Sequence, residues 1–208
     1  MNVVDALHHR ISANNFDSSA ALSDAEVTEL AALAGLAPSS FNIQHIRFVA
    51  VTNPELKAKL KAVAYNQAKV GDAAAVFVLF GDMSAHIVFA ERLKGAVAAG
   101  FMDQGTADYM TNMSGNFYGN PASAREEAVR SAGLAGMALM LAAEEKGYGS
   151  GPMIGFDPAG VSQVLGVPAR YFPAIMIAVG PLAAGNMAQK PRLSTADTLR
   201  INEGSFPA

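Results

Sequence analysis

The stretch from Ser131 to Ala143 constrains this chain more than any other: thirteen residues, SAGLAGMALMLAA, with no charge among them. It lies inside a segment with clear helix signals. Asn120-Pro121 is an N-cap followed by proline at the first helical position, and the pattern runs to about Glu145, with Gly147 as the stop. A helix that is apolar on every face predicts burial all round. It must sit inside a domain or at a dimer core. Gly133, Gly136 and the alanines permit close backbone approach, at about 1 kcal/mol of helix propensity per glycine.

The same cap chemistry recurs along the chain. Ser23-Asp24-Ala25-Glu26 is a capping box ahead of Val27, Leu30, Leu33 and Ala34. Asn53-Pro54 precedes Leu56, Leu60 and Val63 at helical spacing, and Asp157-Pro158 opens a short helix that ends near Gly166. Between these lie three continuous apolar runs, Ile46–Thr52, Ala74–Phe80 and Phe172–Gly180. Continuous rather than alternating runs predict strands buried on both faces. Strands separated by helices place the chain in the α/β or α+β class. A length of 208 residues with no linker or repeat predicts one domain, 1–208. Residues 181–208 lack pattern and carry one basic cluster, Lys190-Pro191-Arg192. Such a tail is either disordered or wrapped over something.

Composition excludes several chemistries. With no Cys there is no thiol nucleophile, disulfide framework, Cys-ligated zinc or iron–sulfur cluster, and the chain suits a reducing cytoplasm. A net charge of -3 argues against a general nucleic-acid footprint. The start, Met1-Asn2-Val3-Val4-Asp5, lacks the order of a signal peptide, and the longest uncharged stretch, Tyr171–Gln189, is broken by Pro173, Gly180, Pro181 and Gly185, so no membrane span is expected. A hydrophobic fraction of 51% against 16% charge suggests an oligomer, although much of the excess is alanine. Gly149-Ser150-Gly151-Pro152-Met153-Ile154-Gly155 does not fit a dinucleotide fingerprint, since the third glycine is late and Pro152 stands where helix amides are needed. Adjacent His8 and His9 point to different sides of a helix, so no metal site is expected. His45 and His86 are isolated and read as structural or surface residues.

Three polar clusters remain: Arg10-Ile11-Ser12-Ala13-Asn14, Ala37-Pro38-Ser39-Ser40-Phe41-Asn42-Ile43-Gln44, and Lys190-Pro191-Arg192. A phosphate is held by guanidinium, ammonium and hydroxyl donors converging from separate segments, and Arg10, Ser12, Lys190 and Arg192 are of those types. In this order the clusters resemble the FMN-dependent nitroreductase family. Arg10-x-Ser12-x-Asn14-x-Phe16 resembles its opening Arg-x-Ser-x-Arg/Lys-x-Phe/Tyr, and the 37–44 segment resembles its Ala-Pro-Ser-x-x-Asn-x-Gln-Pro-Trp signature. Asn66-Gln67-Ala68-Lys69, Pro152-Met153-Ile154-Gly155 and Lys190-Pro191-Arg192-Leu193 fall where the family places residues near the ring, a turn beside the flavin and a late basic pair. Gly81-Asp82-Met83 and Asn120–Ala124 look most like the branch of small quinone and nitroaromatic reductases. Two departures stand out: Asn14 replaces the usual second basic residue, and His45-Ile46 replaces Pro-Trp. Both bear on redox tuning and substrate preference more than on FMN binding.

The resemblance implies an α+β fold with a mixed central sheet flanked by helices. It also implies an intertwined homodimer whose C-terminal tail crosses onto the partner, with FMN between the chains. It implies that Arg10, Ser12, Lys190 and Arg192 hold the phosphate, with Ile11 in the same segment. Asn14, Asn66 and Lys69 would bond the pyrimidine edge, and Lys69 would stabilise the anionic reduced flavin. Pro38, Ser39, Ser40 and Asn42 would line the ring and ribityl chain, commonly from the opposite chain. The backbone N–H of Ile154 or Gly155 would approach N5. Phe117 and Tyr118 are candidate substrate contacts or core residues. The implied activity is reduction of a nitroaromatic or quinone by NADPH or NADH, in ping-pong order through flavin N5, with no catalytic acid or base from the protein. Two other readings stand beside it: a flavin store or sensor without turnover, and a flavin-destroying or dehalogenating enzyme, for whose added lid segment this chain has little room.

Overall fold

The computed structural model describes residues 2–206; Met1, Pro207 and Ala208, the ends of the expected domain, lie outside the described residues. Four strands form one sheet in the order β1 (Ile46–Val51), β2 (Ala75–Asp82), β4 (Tyr171–Gly180), β3 (Gly149–Met153). Every neighbouring pair is antiparallel, so the sheet is not the mixed one expected from the resemblance. The parallel pairing recorded is a single bridge, Ser12 to Ser150. The three apolar runs become β1, β2 and β4. β3 carries two glycines and a proline and has little strand propensity. It pairs nonetheless, because Pro152 lies in an edge strand, where a missing donor is tolerated.

The apolar runs are continuous because both faces of the sheet are covered. Val76, Val78 and Phe80 of β2 join Leu60, Val70 and Val161, contributed by α3 (Pro54–Val63), α4 (Ala68–Asp72) and α8 (Pro158–Leu165). Phe77 and Leu79 point the other way, onto Leu30 of α2 (Asp24–Ala34) and onto Ala132, Ala135 and Leu139 of α7 (Pro121–Glu145). All of β2 is buried, whereas β1 is half-exposed along most of its length. β1 is an edge strand, and its outer row of backbone groups pairs with no described strand.

The long helix departs from its expected burial. α7 buries Ala124, Ala128, Ser131, Ala132, Ala135, Gly136, Leu139 and Ala143, a stripe at three- and four-residue spacing. At the sheet, a side-chain carbon on Gly81 of β2 would overlap Ala128, so glycine lets the N-terminal half of α7 come down onto the strand. The opposite face stays open: Leu134 is 45% exposed, Val129 39%, and Gly133 has nothing near it. A charge-free segment specifies that every face can be buried; within one chain only half of them are.

Between β2 and α7 the chain makes an excursion through α5 (Phe89–Ala98) and α6 (Gln104–Tyr118). It packs as a separate cluster of Ile43, Ala85, Phe89, Leu93, Ala107, Tyr118 and Ala124. The tail is ordered where it meets the N-terminus and carries a one-turn helix, α9 (Thr195–Thr198), capped by Ser194 and Asp197. No helix among the described residues is long and apolar enough to cross a membrane.

Candidate active site

α1 (Val3–His9) ends at Arg10, whose backbone turns extended, and the next residues run beside β3. Ala13 N–H donates to the Ser150 carbonyl at 2.9 Å. A side-chain carbon on Gly151 would overlap the Ala13 carbonyl oxygen, so glycine is what admits this segment against the strand. The tail arrives from the other side. Gln189 Nε2 donates to the carbonyls of Leu7 at 2.9 Å and Arg10 at 3.1 Å, and Asn186 Oδ1 accepts from the amides of Asn14 and Asn15. The two segments enclose a cavity of ≈ 70 Å³ lined by Arg10, Ser12, Gln189, Lys190 and Arg192 among others.

This cavity has the chemistry of an anion cradle. Three cations meet there, and none pairs with a carboxylate among the described residues. Arg10 is 9% exposed; its Nη2 reaches only the Ile11 carbonyl at 3.2 Å and Ser12 Oγ at 3.4 Å, and its buried Nε has no partner. A buried guanidinium N–H without an acceptor is costly unless a ligand supplies one. The Ser150 hydroxyl, buried next to the same segment, is also unpartnered.

A second group adjoins it. Lys69, at the start of α4, donates from Nζ to Asn14 Oδ1 at 3.3 Å, and burial holds its ammonium below the usual lysine range. Tyr65 and Asn66 are left-handed, with φ of 52° and 57°, and turn the chain so that Gln67 reaches the Gly155 carbonyl at 2.7 Å. Asn66 is exposed, as are Gly155 and Ile154, the latter at 78%. Arg10, Ile11, Ser12, Asn14, Lys69, Lys190 and Arg192 therefore share one side of the molecule with the Ile154–Gly155 turn.

The 38–44 loop does not join them. No hydrogen bond among the described residues links Pro38, Ser39, Ser40 or Asn42 to the cradle, and Pro38, Ser39 and Gln44 border a different cavity, of ≈ 100 Å³, between the end of α2, β1 and α7. The loop is strained. Phe41, Asn42 and Gln44 are all left-handed, with φ of 54°, 55° and 57°. Side chains hold it there: Ser39 Oγ accepts from the Gln44 amide at 2.8 Å, and Arg92 Nη1 donates to the Ile43 carbonyl at 2.6 Å. Buried Glu127 of α7 accepts from the Ser40 amide at 3.5 Å, from Ser131 Oγ at 2.9 Å and from Arg130.

Behind the loop, His45 is fully buried. Its Nδ1 lies 3.1 Å from the Asp82 carbonyl, which can only accept, so a neutral ring carries its proton on Nδ1. Burial pushes its basicity down, and that of His86 likewise. Tyr118 is 2% exposed and packs edge-on against His45 and Phe41, while its neighbour Phe117 is 57% exposed. Asp82, also fully buried, is held by Arg170 at 2.5 Å. Gln67, Glu127, Asn186 and Gln189 were not singled out as site residues from the sequence. They act on backbone groups 87 to 182 positions away, and no local spacing reveals such partners.

The sequence profile of the Nitroreductase family matches residues 7–181. The chain belongs to the nitroreductase family. It is similar to MhqN of Bacillus subtilis, assigned as an NAD(P)H nitroreductase, with 36% identity over 176 residues, 84% of this chain and 85% of that one. Among solved structures, an assigned nitroreductase from Exiguobacterium sibiricum, determined in complex with FMN, superposes with a TM-score of 0.88 at 29% identity, covering 97% and 98% of the two chains. An assigned NAD(P)H:FMN oxidoreductase from Staphylococcus epidermidis gives 0.89 at 26% identity, covering 96% and 95%. The α+β fold with its antiparallel four-stranded sheet is thus the nitroreductase fold.

Proposed function

We propose that this nitroreductase-family chain is an FMN-dependent NAD(P)H oxidoreductase that reduces nitroaromatics or quinones. The observation that carries the reading is the cradle of Arg10, Ser12, Lys190 and Arg192, with a buried Arg10 Nε that lacks an acceptor. A phosphate monoester supplies that acceptor and offsets three uncompensated cations. Lys69 and Asn14 then meet the pyrimidine edge, and Asn66 lies on the turn just before Lys69. The burial that depresses Lys69 makes its charge count for more, because the local dielectric is low. Ile154 and Gly155 present backbone to the ring centre, close enough for amide contact because position 155 has no side chain. FMN, when bound, supplies the hydride acceptor and donor in two half-reactions through one pocket. The protein binds, orients and shields; none of its carboxylates or histidines is needed as acid or base.

The active unit in this proposal is a homodimer. The open face of α7, with Val129, Gly133 and Leu134, supports it, as does the unpaired outer edge of β1. So does a tail whose Leu193, Leu199, Ile201 and Phe206 are all more than half exposed. Residues 186–192 stay on their own chain, so the part of the tail that crosses begins after Arg192. The 38–42 loop, remote from its own cradle, serves the cradle of the partner. Exposed Phe117 is the better substrate contact, Tyr118 being core.

The test is the visible spectrum of purified protein under anaerobic NADPH and then NADH. Flavin bands that bleach with either are the expected result. Bands that persist favour a flavin store or sensor, and a protein that refuses added FMN overturns the proposal.

A further inference from the structure

The Ile154–Gly155 turn is held by groups outside it. Phe156 N–H donates back to the Ile154 carbonyl at 3.0 Å, closing a three-residue turn centred on Gly155, and Asp157 N–H donates to the Val63 carbonyl at 2.8 Å. The Gly155 carbonyl is taken by Gln67 Nε2 at 2.7 Å, and the same Nε2 donates to the Ala64 carbonyl at 3.2 Å. With both carbonyls engaged, the peptide planes on either side of Gly155 are fixed, because each plane is rigid. The amides of Ile154 and Gly155 make no hydrogen bond among the described residues.

Gln67 reaches this position at a cost. The two residues before it are consecutive left-handed non-glycines, a conformation that crowds the Cβ against the following carbonyl oxygen. Gln67 sits at the N-cap of α4 but makes no cap bond there. Its amide is directed across the site instead of at its own helix.

We propose that Gln67 is a positioning residue for the flavin reaction. It acts through the 154–155 turn, holding the free Gly155 amide in the direction of the ring's reactive edge, and it thereby biases the affinity of the site between oxidised and reduced FMN. The inference rests on the FMN reading above. An amide directed at N5 meets a lone pair in the oxidised ring and an N–H in the reduced ring, so a fixed amide favours the oxidised form.

The test uses Gln67→Met, which keeps length and loses both donors, and Gln67→Glu, which sets a carboxylate against two carbonyls. In FMN-saturated Gln67→Met, the affinity for oxidised FMN is expected to fall about five- to tenfold more than that for reduced FMN. The two-electron midpoint potential then rises by roughly 20–30 mV. Gln67→Glu also releases the turn but sets a negative charge beside the anionic reduced ring, so it is expected to raise the potential less than Gln67→Met does. A merely structural role lowers thermal stability and leaves the potential where it was; that outcome overturns the inference. In the unmodified protein, the Gly155 amide resonance should move on titration with oxidised FMN, and an unmoved resonance in a protein that does bind FMN also overturns it. If the unmodified protein takes up no FMN, the failure belongs to the functional reading itself.

Discussion

Two polar regions of this molecule are built alike and end differently. The cradle and the 38–44 loop both lie outside the sheet and its covering helices, and both are held by side chains that bond distant backbone. The cradle closes on itself: Gln189 and Asn186 tie the tail to the N-terminal segment of the same chain, and no residue of 10–14 or 186–192 is left-handed. The loop carries three left-handed non-glycine residues within four positions, about 1–2 kcal/mol each, held by Ser39, Arg47, Arg92 and Glu127. A buried carboxylate and guanidinium groups keep that strain in place. The relaxed region is tied together within one chain, and no hydrogen bond among the described residues joins the strained one to it.

The comparison can be broken most forcefully at the proposed interface. Leu134→Asp places charges on the open face of α7, with two copies in each dimer. An unpaired buried charge costs about 3–5 kcal/mol, so dimer dissociation should increase by more than a hundredfold, read by sedimentation. A variant that stays dimeric removes this face from the interface, and with it the support for a loop that works in trans.

Arg192→Ala comes next. Loss of a charged hydrogen bond should weaken FMN binding by about 1.5–3 kcal/mol, measured by fluorescence titration. Unchanged retention would take the tail out of the site. Combining it with the loop sharpens the contrast. A chain carrying Arg192→Ala and a second carrying a disabled loop, such as Asn42→Ala with Ser40→Ala, should regain FMN-dependent turnover when mixed and allowed to exchange. Each heterodimer then holds one intact cradle facing one intact loop. No recovery would place the loop and cradle of a single chain together.

Smaller effects separate the two sides further. Lys69→Met should lower the flavin potential by roughly 20–45 mV, equivalent to about 1–2 kcal/mol, with the fold intact. An unshifted potential rejects its electrostatic role. On the loop side, burial holds the basicity of His45 below its ordinary value of 6.5. The unfolded chain therefore binds a proton at His45 before the folded chain does, and stability is lost as pH falls below that value. The midpoint of thermal unfolding should drop between pH 7.5 and 5.5, and His45→Asn should drop less. An equal drop in both would assign the acid sensitivity elsewhere, with His86 as the next group to vary.

Much of this fold is legible along the chain because its signals are local. The capping boxes and proline starts at Ser23, Asn53, Asn120 and Asp157 mark four helices, and three β-rich runs mark three strands. β3 escaped because GSGPM has little strand propensity and forms against β4 and the Ser12–Ala13 segment, which only folding brings beside it. The α5–α6 excursion escaped because α5 starts without a side-chain cap and α6 is polar with two internal glycines. The cradle residues could be named from their types and order. Their supports could not, since Gln67, Glu127, Asn186 and Gln189 bond backbone that only folding brings near.

The family, the helix that had to be covered and the cations available to a phosphate can all be read along the chain, because composition, caps and motif order are properties of neighbours in sequence. Packing between distant segments sets the open face of α7, the antiparallel pairing throughout the sheet, and the separation of the loop from the cradle of its own chain. Those depend on how segments far apart in sequence compete for the same surface, and no single segment records the outcome.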